Sequence, residues 1–273
     1  MKSSPGARGV NPRAKKRYGQ HFLEAAWADK VVAAIDPKPD DRFVEIGPGP
    51  GALTLRLAPR VARVTAIELD ADMVAELQPR LPANVTVVLA DFLTFDLSSL
   101  AGECPFRVAG NLPYNVSSPI LFALIDAYRT MGGITDATLM VQREVADRLV
   151  ASPGTGDYGV LTISVRLHAD VRRVLALPPG AFRPAPKVHS SVVNLRFRPP
   201  VVAVTDEPAF EAMVRGMFTQ RRKTILNALR PYARSRDRDP GAALDAAGIN
   251  PQRRPETLQL TELARLAEHF ASA

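Results

Sequence analysis

Two hydrophobic patterns alternate along the first half of the chain. Short runs of apolar and β-branched residues predict five strands, at residues 42–46, 64–69, 85–91, 106–111 and 137–142. Stretches with apolar residues at helical spacing predict helices at residues 52–60, 70–81 and 118–128. We expect Asp70 to cap the second helix and Pro119 to lie in the first turn of the third. Because the strands are almost continuously apolar, the pattern indicates an α/β fold whose parallel sheet is covered on both faces.

The pattern changes after about residue 145. Residues 158–169 and 189–199 are longer, β-branched and alternating, and predict an antiparallel pair that closes one edge of the sheet. Beyond Pro200 the composition becomes helical. Predicted helices begin after a cap at Asp206, continue through residues 218–230, and end the chain at residues 261–270. We therefore expect a mobile basic arm, an α/β domain and a small all-α domain, at residues 1–17, 18–202 and 203–273.

Positive charge is concentrated in two blocks. The chain carries +7 overall, whereas residues 1–23 carry +6 and residues 215–238 carry +7, which leaves −6 on the rest. Two basic blocks on an acidic body favour the phosphate backbone of a nucleic acid as partner, although each could also be a solvated surface. The second block contains Arg221, Arg222 and Lys223 in succession, and a helix would spread them over ~200°. At least two of them would then face solvent or a partner.

Composition excludes several classes of protein. No apolar run reaches the ~18 residues of a membrane-spanning helix, and the basic N-terminus lacks the apolar stretch of a signal peptide. The single cysteine, Cys104, excludes an intrachain disulfide and a cysteine-based metal site. The four histidines are scattered and the acids lack the spacing of ligands, so we expect no metal. These features fit a cytoplasmic protein.

A glycine-rich turn and two acids follow the first three strands. The turn contains Gly47 and Gly49 in a G-x-G-x-G pattern, and glycine lets a backbone approach a ligand closely. Glu68 ends the second strand, where a carboxylate can accept both hydroxyls of a ribose. Asp91, followed by Phe92, ends the third strand and could accept an adenine amine. Together they favour a nucleoside cofactor over a tight turn with surface acids, without deciding between NAD and S-adenosylmethionine (SAM).

The segment Asn111-Leu112-Pro113-Tyr114 ends the fourth strand at the same edge of the sheet. Methyl transfer to an exocyclic base amine is difficult because the nitrogen lone pair is delocalised into the ring. An amide oxygen and a backbone carbonyl can accept the two amine hydrogens, a proline can aim that carbonyl, and an aromatic ring can stack on an unstacked base. The alternative is an ordinary turn. The position of this segment after the fourth strand, at the same edge as the glycine loop, favours the methyl-transfer interpretation.

The chain resembles the KsgA/RsmA ribosomal RNA adenine dimethyltransferases over roughly residues 15–270. The matching motifs, in order, are KKRYGQHFL, VEIGPGPGALT, AIELD, GNLPYNVSSPI, QREVADRL, YGVLTISV, LPPGAFRPAPKVHSSVV and FTQRRKTILNAL. The resemblance implies a Rossmann-like SAM-dependent methyltransferase domain and a small C-terminal helical domain. The basic block at residues 215–238 makes that helical domain the part expected to dock on rRNA. The resemblance also implies dimethylation of two adjacent adenosines near the 3′ end of 16S rRNA, in an assembling small ribosomal subunit, by a monomeric enzyme that releases S-adenosylhomocysteine.

The resemblance also implies roles for individual residues. The residues expected at the cofactor are His21, Leu23, Gly47, Gly49, Glu68, Asp91 and Asn111. Those expected to carry the chemistry are Asn111, Leu112, Pro113 and Tyr114, and Tyr114 and Phe182 are expected to hold the target base. The charge pattern, rather than the resemblance, adds Arg221, Arg222 and Lys223 as candidate contacts to rRNA phosphates. Phe182 could instead be a core residue. One departure concerns His21, because the family usually has asparagine there and the side-chain role of that position is open.

Three other functions remain alternatives. A 23S rRNA methyltransferase of the macrolide-resistance type shares the glycine loop, but residues 182–191 and 218–229 favour the small-subunit enzyme. A non-catalytic rRNA-binding assembly factor would not need Glu68, Asn111 and Tyr114 together. A dehydrogenase is the weakest alternative, because nothing in the chain would place a hydride acceptor.

Overall fold

The computed structural model describes residues 20–103 and 105–271. The arm predicted at residues 1–17 and Cys104 lie outside them. The strands of this part of the chain are β1 (Phe22–Leu23), β2 (Arg42–Ile46), β3 (Arg63–Glu68), β4 (Val85–Leu89), β5 (Phe106–Asn111), β6 (Ile134–Gln142), β7 (Ala169–Leu177), β8 (Phe182–Arg183) and β9 (Ser190–Phe197). The helices are α1 (Ala25–Ile35), α2 (Thr54–Leu57), α3 (Ala71–Leu77), α4 (Ser117–Met131), α5 (Arg143–Val150), α6 (Val160–His168), α7 (Glu207–Phe218), α8 (Ile225–Ser235), α9 (Pro240–Ala246) and α10 (Leu260–Glu268).

Seven strands form the central sheet, in the order β4-β3-β2-β5-β6-β9-β7. The first five are parallel, as predicted, and β9 runs antiparallel to both of its neighbours. Helices α4 and α5 cover one face and α1 and α2 the other, each with buried apolar side chains. From β2 the chain continues to β3 and β4 on one side and later to β5 and β6 on the other. A ligand crevice is expected where the order reverses, at the carboxyl ends of β2 and β5.

Close packing brings the ends of β2 and β5 together. Gly110 is paired with Ile46, and a Cβ atom at Gly110 would lie 2.7 Å from the carbonyl oxygen of Ile46. A side chain at this position would push the two strands apart. The glycine therefore keeps the segment after β5 beside the loop after β2.

One predicted strand is wrong. Residues 158–169 were expected to form a strand of the closing pair, but most of them form helix α6, and the partner of β9 is β7. From Leu161 to His168 every side chain except that of Arg166 is buried. A helix enclosed on all sides shows no amphipathic period, and its β-branched residues imitate a strand. The predicted antiparallel closure of the sheet edge is confirmed, with β7 in place of residues 158–169.

A second prediction, of continuous helix through residues 218–230, is also wrong. Helix α7 ends at Phe218, a turn occupies residues 219–224, and α8 begins at Ile225. The Thr219 hydroxyl bonds back to the carbonyl of Gly216, and the backbone of Thr224 is extended. The three consecutive basic residues therefore lie in a turn rather than around a helix. The predicted caps are confirmed, because Asp70 and Asp206 each accept a bond from a backbone amide of the following helix.

Helices α7 to α10 enclose a second hydrophobic core. Tyr158, Ile163 and Leu167 also contribute to it, so this core includes residues on both sides of position 203. The division at residue 203 stays a prediction. No helix among the described residues is both long and apolar enough to cross a membrane.

Candidate active site

A cavity of about 360 Å³ opens at the expected crevice. Its lining combines the loop after β2, the end of β3, the segment after β5 and the residues around β1. Four of the elements that sequence reasoning treated separately therefore meet at one place.

The glycine loop forms the floor of the cavity. Gly47 and Gly49 have φ angles of 65° and 52°, in the left-handed region that favours glycine. A Cβ atom at Gly49 would lie 3.4 Å from the ring of Phe22 in β1. The loop thus presents bare backbone to the cavity while β1 crosses close to it.

Glu68 joins this loop to the end of β3. Its Oε2 accepts a bond from the amide of Gly49 and its Oε1 from the amide of Asp70, each at 2.9 Å. Burial raises the pKa of Glu68, while the amides of Asp70 and Gly49 oppose that rise. The carboxyl group is held in place by backbone amides and retains further lone pairs for a ligand hydroxyl.

Glu45, which sequence reasoning missed, also lines the cavity. It is 2% exposed, and its Oε2 has no hydrogen-bond partner among the described residues. Burial raises its pKa to about 7, interaction with Thr54 opposes the rise, and the nearby Glu68 adds to it. The signal that could have identified it is an acid among the buried apolar residues of strand β2.

Asn111 is oriented by the backbone of the segment that precedes β1. Its Nδ2 donates to the carbonyl oxygen of His21 at 2.7 Å. Because a carbonyl can only accept, the amide nitrogen must face His21, which leaves Oδ1 as an acceptor on the other side. The next residue, Leu112, is buried and its amide bonds to the carbonyl of Met140 at 3.1 Å. Pro113 follows on the cavity wall.

The Tyr114 ring is held at two places. Its hydroxyl shares a hydrogen bond of 2.7 Å with Ser190 at the start of β9. One face stacks on the imidazole of His21, with centroids 5.4 Å apart and planes inclined by 24°. Burial raises the pKa of Tyr114, so the phenol is neutral at physiological pH. The His21 Nδ1 in turn lies 2.6 Å from the carbonyl oxygen of Pro184.

The remaining residues predicted at the cofactor or the base do not all reach the cavity. Leu23 lines the cavity, but neither Phe182 nor Asp91 does. Phe182 is 2% exposed and lies in the core opposite Leu23 in the β1–β8 pair, which favours the packing alternative. Asp91 accepts a bond from the amide of Leu93 in a local turn. The roles proposed for these two residues at a base and at an adenine stay predictions.

The three consecutive basic residues of the turn at residues 219–224, termed the basic turn, differ in their contacts. The Nη2 of Arg221 donates to the carbonyl of Gly156 at 2.9 Å, which ties the turn to the loop between α5 and α6. Arg222 and Lys223 are exposed.

Across residues 20–103 and 105–271, no group of three or more His, Cys, Asp or Glu residues is placed to hold a metal ion.

Comparison with known proteins gives this arrangement a family. The sequence profile of the family "Ribosomal RNA adenine dimethylase" matches residues 11–272. The chain belongs to this family. The predicted family, fold class and enzyme class are thereby confirmed: this is a ribosomal RNA adenine dimethyltransferase of mixed α/β fold.

Individual relatives and solved structures are similar to this chain over most of its length. The chain is 44% identical over 261 residues to "Ribosomal RNA small subunit methyltransferase A" of Syntrophotalea carbinolica, covering 95% of this chain and 97% of that protein. It is 43% identical to the protein of the same name from Geobacter metallireducens, with coverage of 95% and 96%. A crystal structure of a dimethyladenosine transferase from Plasmodium falciparum is similar with a TM-score of 0.73 and 26% identity, over 90% of this chain and 96% of that one. The 23S rRNA methyltransferase ErmE matches with a TM-score of 0.65 and 31% identity, over 91% and 99%.

Proposed function

We propose that this chain dimethylates N6 of two adjacent adenosines near the 3′ end of 16S rRNA, using SAM, in the assembling small ribosomal subunit. It would act in the cytoplasm as a monomer. The observation that carries the proposal is the Asn111 amide, whose oxygen faces away from His21 in a cavity that Tyr114, the glycine loop and Glu68 also line.

The carboxyl groups of the cavity and its glycine loop support SAM as the cofactor. SAM has a cationic sulfonium and ammonium, a ribose with two hydroxyls and an apolar purine. Glu45 offers a buried, unpaired carboxyl oxygen for a cation, and Glu68 offers acceptors for the ribose. The left-handed glycines keep side chains out of the floor. When bound, SAM would supply a methyl group activated by the positive sulfur.

The chain's own groups would prepare the target nitrogen. The Asn111 Oδ1 and a backbone carbonyl of the Leu112–Pro113 turn accept the two amine hydrogens and turn the nitrogen lone pair towards the methyl group. Tyr114 stacks on the extruded base. The methylated nitrogen is strongly acidic, so its proton can pass to water without a general base.

The small subunit is favoured over the large one by the extent of similarity. The two relatives whose names specify the small subunit share 44% and 43% identity with the chain, against 31% for the 23S enzyme. A non-catalytic assembly role is disfavoured, because Glu68, Asn111 and Tyr114 all reach the same cavity.

The test is methylation of defined ribosomal particles. Small subunits lacking these methyl groups are incubated with the protein and SAM, and fragments of 16S rRNA are analysed by mass spectrometry. We expect two dimethyladenosines in one fragment near the 3′ end and none in 23S rRNA of unmethylated large subunits. Methylation of 23S rRNA alone would establish the rival enzyme, and no methylation of either would support the assembly factor.

A further inference from the structure

We infer that the His21 imidazole is a positioning residue that fixes the plane of the Tyr114 ring, so that the target adenine stacks on the opposite face of Tyr114. The inference rests on the proposed function, because it needs an adenine to enter the cavity. It deepens that function by assigning a task to a side chain whose role the sequence left open.

A hydrogen bond alone cannot set the ring plane. The bond between the Tyr114 hydroxyl and Ser190 holds the tip of the ring, but the ring can still rotate about the axis through that tip. A second ring against its face blocks this rotation. The stacked imidazole of His21 is such a ring, at 5.4 Å and 24°.

The imidazole is itself anchored on two sides. Its Nδ1 must donate to the Pro184 carbonyl, since that oxygen can only accept, and the bond is 2.6 Å long. The backbone of His21 is held by Asn111 through its carbonyl oxygen. The same residue therefore connects the amide acceptor, the aromatic ring and the loop after β8. An asparagine could donate to Pro184 but would present no aromatic face to Tyr114.

The stack also decides which face of Tyr114 is free. A base inserted between two rings needs ~3.5 Å of separation on each side, or about 7 Å in all. The distance of 5.4 Å between the centroids is too short for that. The adenine must use the other face of Tyr114.

The first test separates stacking from hydrogen bonding. His21→Phe keeps an aromatic face and loses the donor, whereas His21→Asn keeps a donor and loses the face. At saturating SAM, we expect His21→Asn to raise KM for unmethylated small subunits by about 2- to 10-fold, the worth of one aromatic pair. Because it keeps the aromatic face, His21→Phe should raise this KM less than His21→Asn does. Equal KM values for the two variants, or an effect confined to SAM affinity, would overturn the inference.

A double-mutant cycle shows whether the effect of His21 on KM depends on the Tyr114 ring, which a general structural role of His21 would not require. In a Tyr114→Leu background there is no ring to position, so His21→Asn should cause no further increase in KM. Independent, multiplicative effects of the two substitutions would contradict the inference. Melting temperatures of all variants show whether each is folded.

A measurement without substrate separates this inference from the proposed function. The flip rate of the Tyr114 ring, followed by NMR with labelled tyrosine, should be slow in the wild type and in His21→Phe and faster in His21→Asn. Equal rates would refute the positioning role even if the wild type methylates small subunits. A wild type that methylates nothing would instead defeat the proposed function, while the flip rates would still decide whether His21 fixes the ring.

Discussion

The two walls of the cavity are built differently. On the side proposed to bind the cofactor, termed the cofactor wall, Glu68 accepts a hydrogen bond from the amide of Gly49, 19 residues away. Glu68 ends β3, and Gly49 lies in the loop after its parallel neighbour β2. On the side proposed to bind the substrate, termed the substrate wall, Asn111 bonds to a residue 90 positions away and Tyr114 to one 76 positions away. The cofactor wall is thus a local product of two strands and a glycine turn. The substrate wall exists only when β1, β8 and β9 have closed around the segment after β5.

The difference predicts separable defects. Substitutions in the cofactor wall should alter SAM affinity or the pH dependence of the free energy of unfolding, because its groups are buried carboxyl groups. Substitutions in the substrate wall should alter turnover or substrate handling, because its groups are side chains aimed by distant partners.

The largest effect is expected at Asn111. Asn111→Ala removes the amide oxygen that would accept from the target amine, and losing one well-aimed catalytic hydrogen bond costs on the order of 3 kcal/mol in the barrier. We expect kcat for dimethylation of small subunits to fall ~100-fold. The control is Asn227→Ala, which removes an exposed amide on α8 that bonds only within its own turn. Wild-type turnover in a folded Asn111→Ala protein would contradict the assignment.

The next largest effect concerns the stability of the cofactor wall. Glu45 has a pKa of about 7 in the folded protein, against 4.5 as the ordinary value. The folded state therefore binds a proton more tightly than the unfolded state, and its contribution to stability is complete below pH 4.5 and lost as pH rises to 7. Glu45→Gln cannot ionise and should escape this loss, gaining up to about 3 kcal/mol relative to wild type between pH 5 and pH 8.

Urea unfolding at the two pH values measures this change. The comparison across pH cancels any constant cost of placing an amide at position 45. Since Glu68 adds to the rise in the pKa of Glu45, Glu68→Gln should reduce the pH dependence. A difference between wild type and Glu45→Gln that is the same at pH 5 and pH 8 would show that Glu45 is ionised throughout.

A smaller effect is expected for the cofactor itself. Glu68→Gln replaces one of its carboxylate acceptors with an NH₂ group, which cannot accept from Gly49 or Asp70 and weakens the site for a ribose. A hydrogen bond to a charged group is worth ~1.5–3 kcal/mol, so SAM affinity by calorimetry should fall by about 10- to 100-fold. The exposed Glu144→Gln, on α5, is the charge-matched control. Unchanged affinity in Glu68→Gln would exclude this position for the ribose.

The same contrast between local and distant contacts explains what the sequence could predict. The parallel strands, the glycine loop and Glu68 could be predicted because each is marked by a short run of neighbouring residues in the sequence. The pairing of Leu23 with Phe182 and the contacts of Tyr114 with His21 and Ser190 have no local signature, because they depend on tertiary closure.

Helix α6 shows a different limit. This helix packs against the core of the sheet on one side and against the second core on the other. Its sequence therefore lacks the regularly spaced polar residues of a solvent-exposed face, and its β-branched residues predict a strand. Periodicity reports the contrast between buried and exposed faces, and it fails where that contrast is absent. The turn at residues 219–224 was missed for a related reason: apolar residues on both sides of it continued the helical spacing.

The smallest effect should come from the basic turn, which lies outside both walls. Arg221 is engaged with Gly156, so Arg222 and Lys223 are the two exposed candidates for rRNA phosphates. The double variant Arg222→Glu/Lys223→Glu should weaken binding to small subunits and flatten its salt dependence, since each phosphate contact contributes ~0.7–0.9 to the slope of log affinity against log salt. Arg60→Glu/Arg63→Glu changes the net charge equally at the amino-terminal end of β3, opposite the cavity. Arg221→Glu should instead lower the melting temperature by releasing the loop that contains Gly156. If the turn variant and the β3 variant give the same salt slope as the wild type, Arg222 and Lys223 form only a solvated surface, and the docking contacts must lie in another part of the chain.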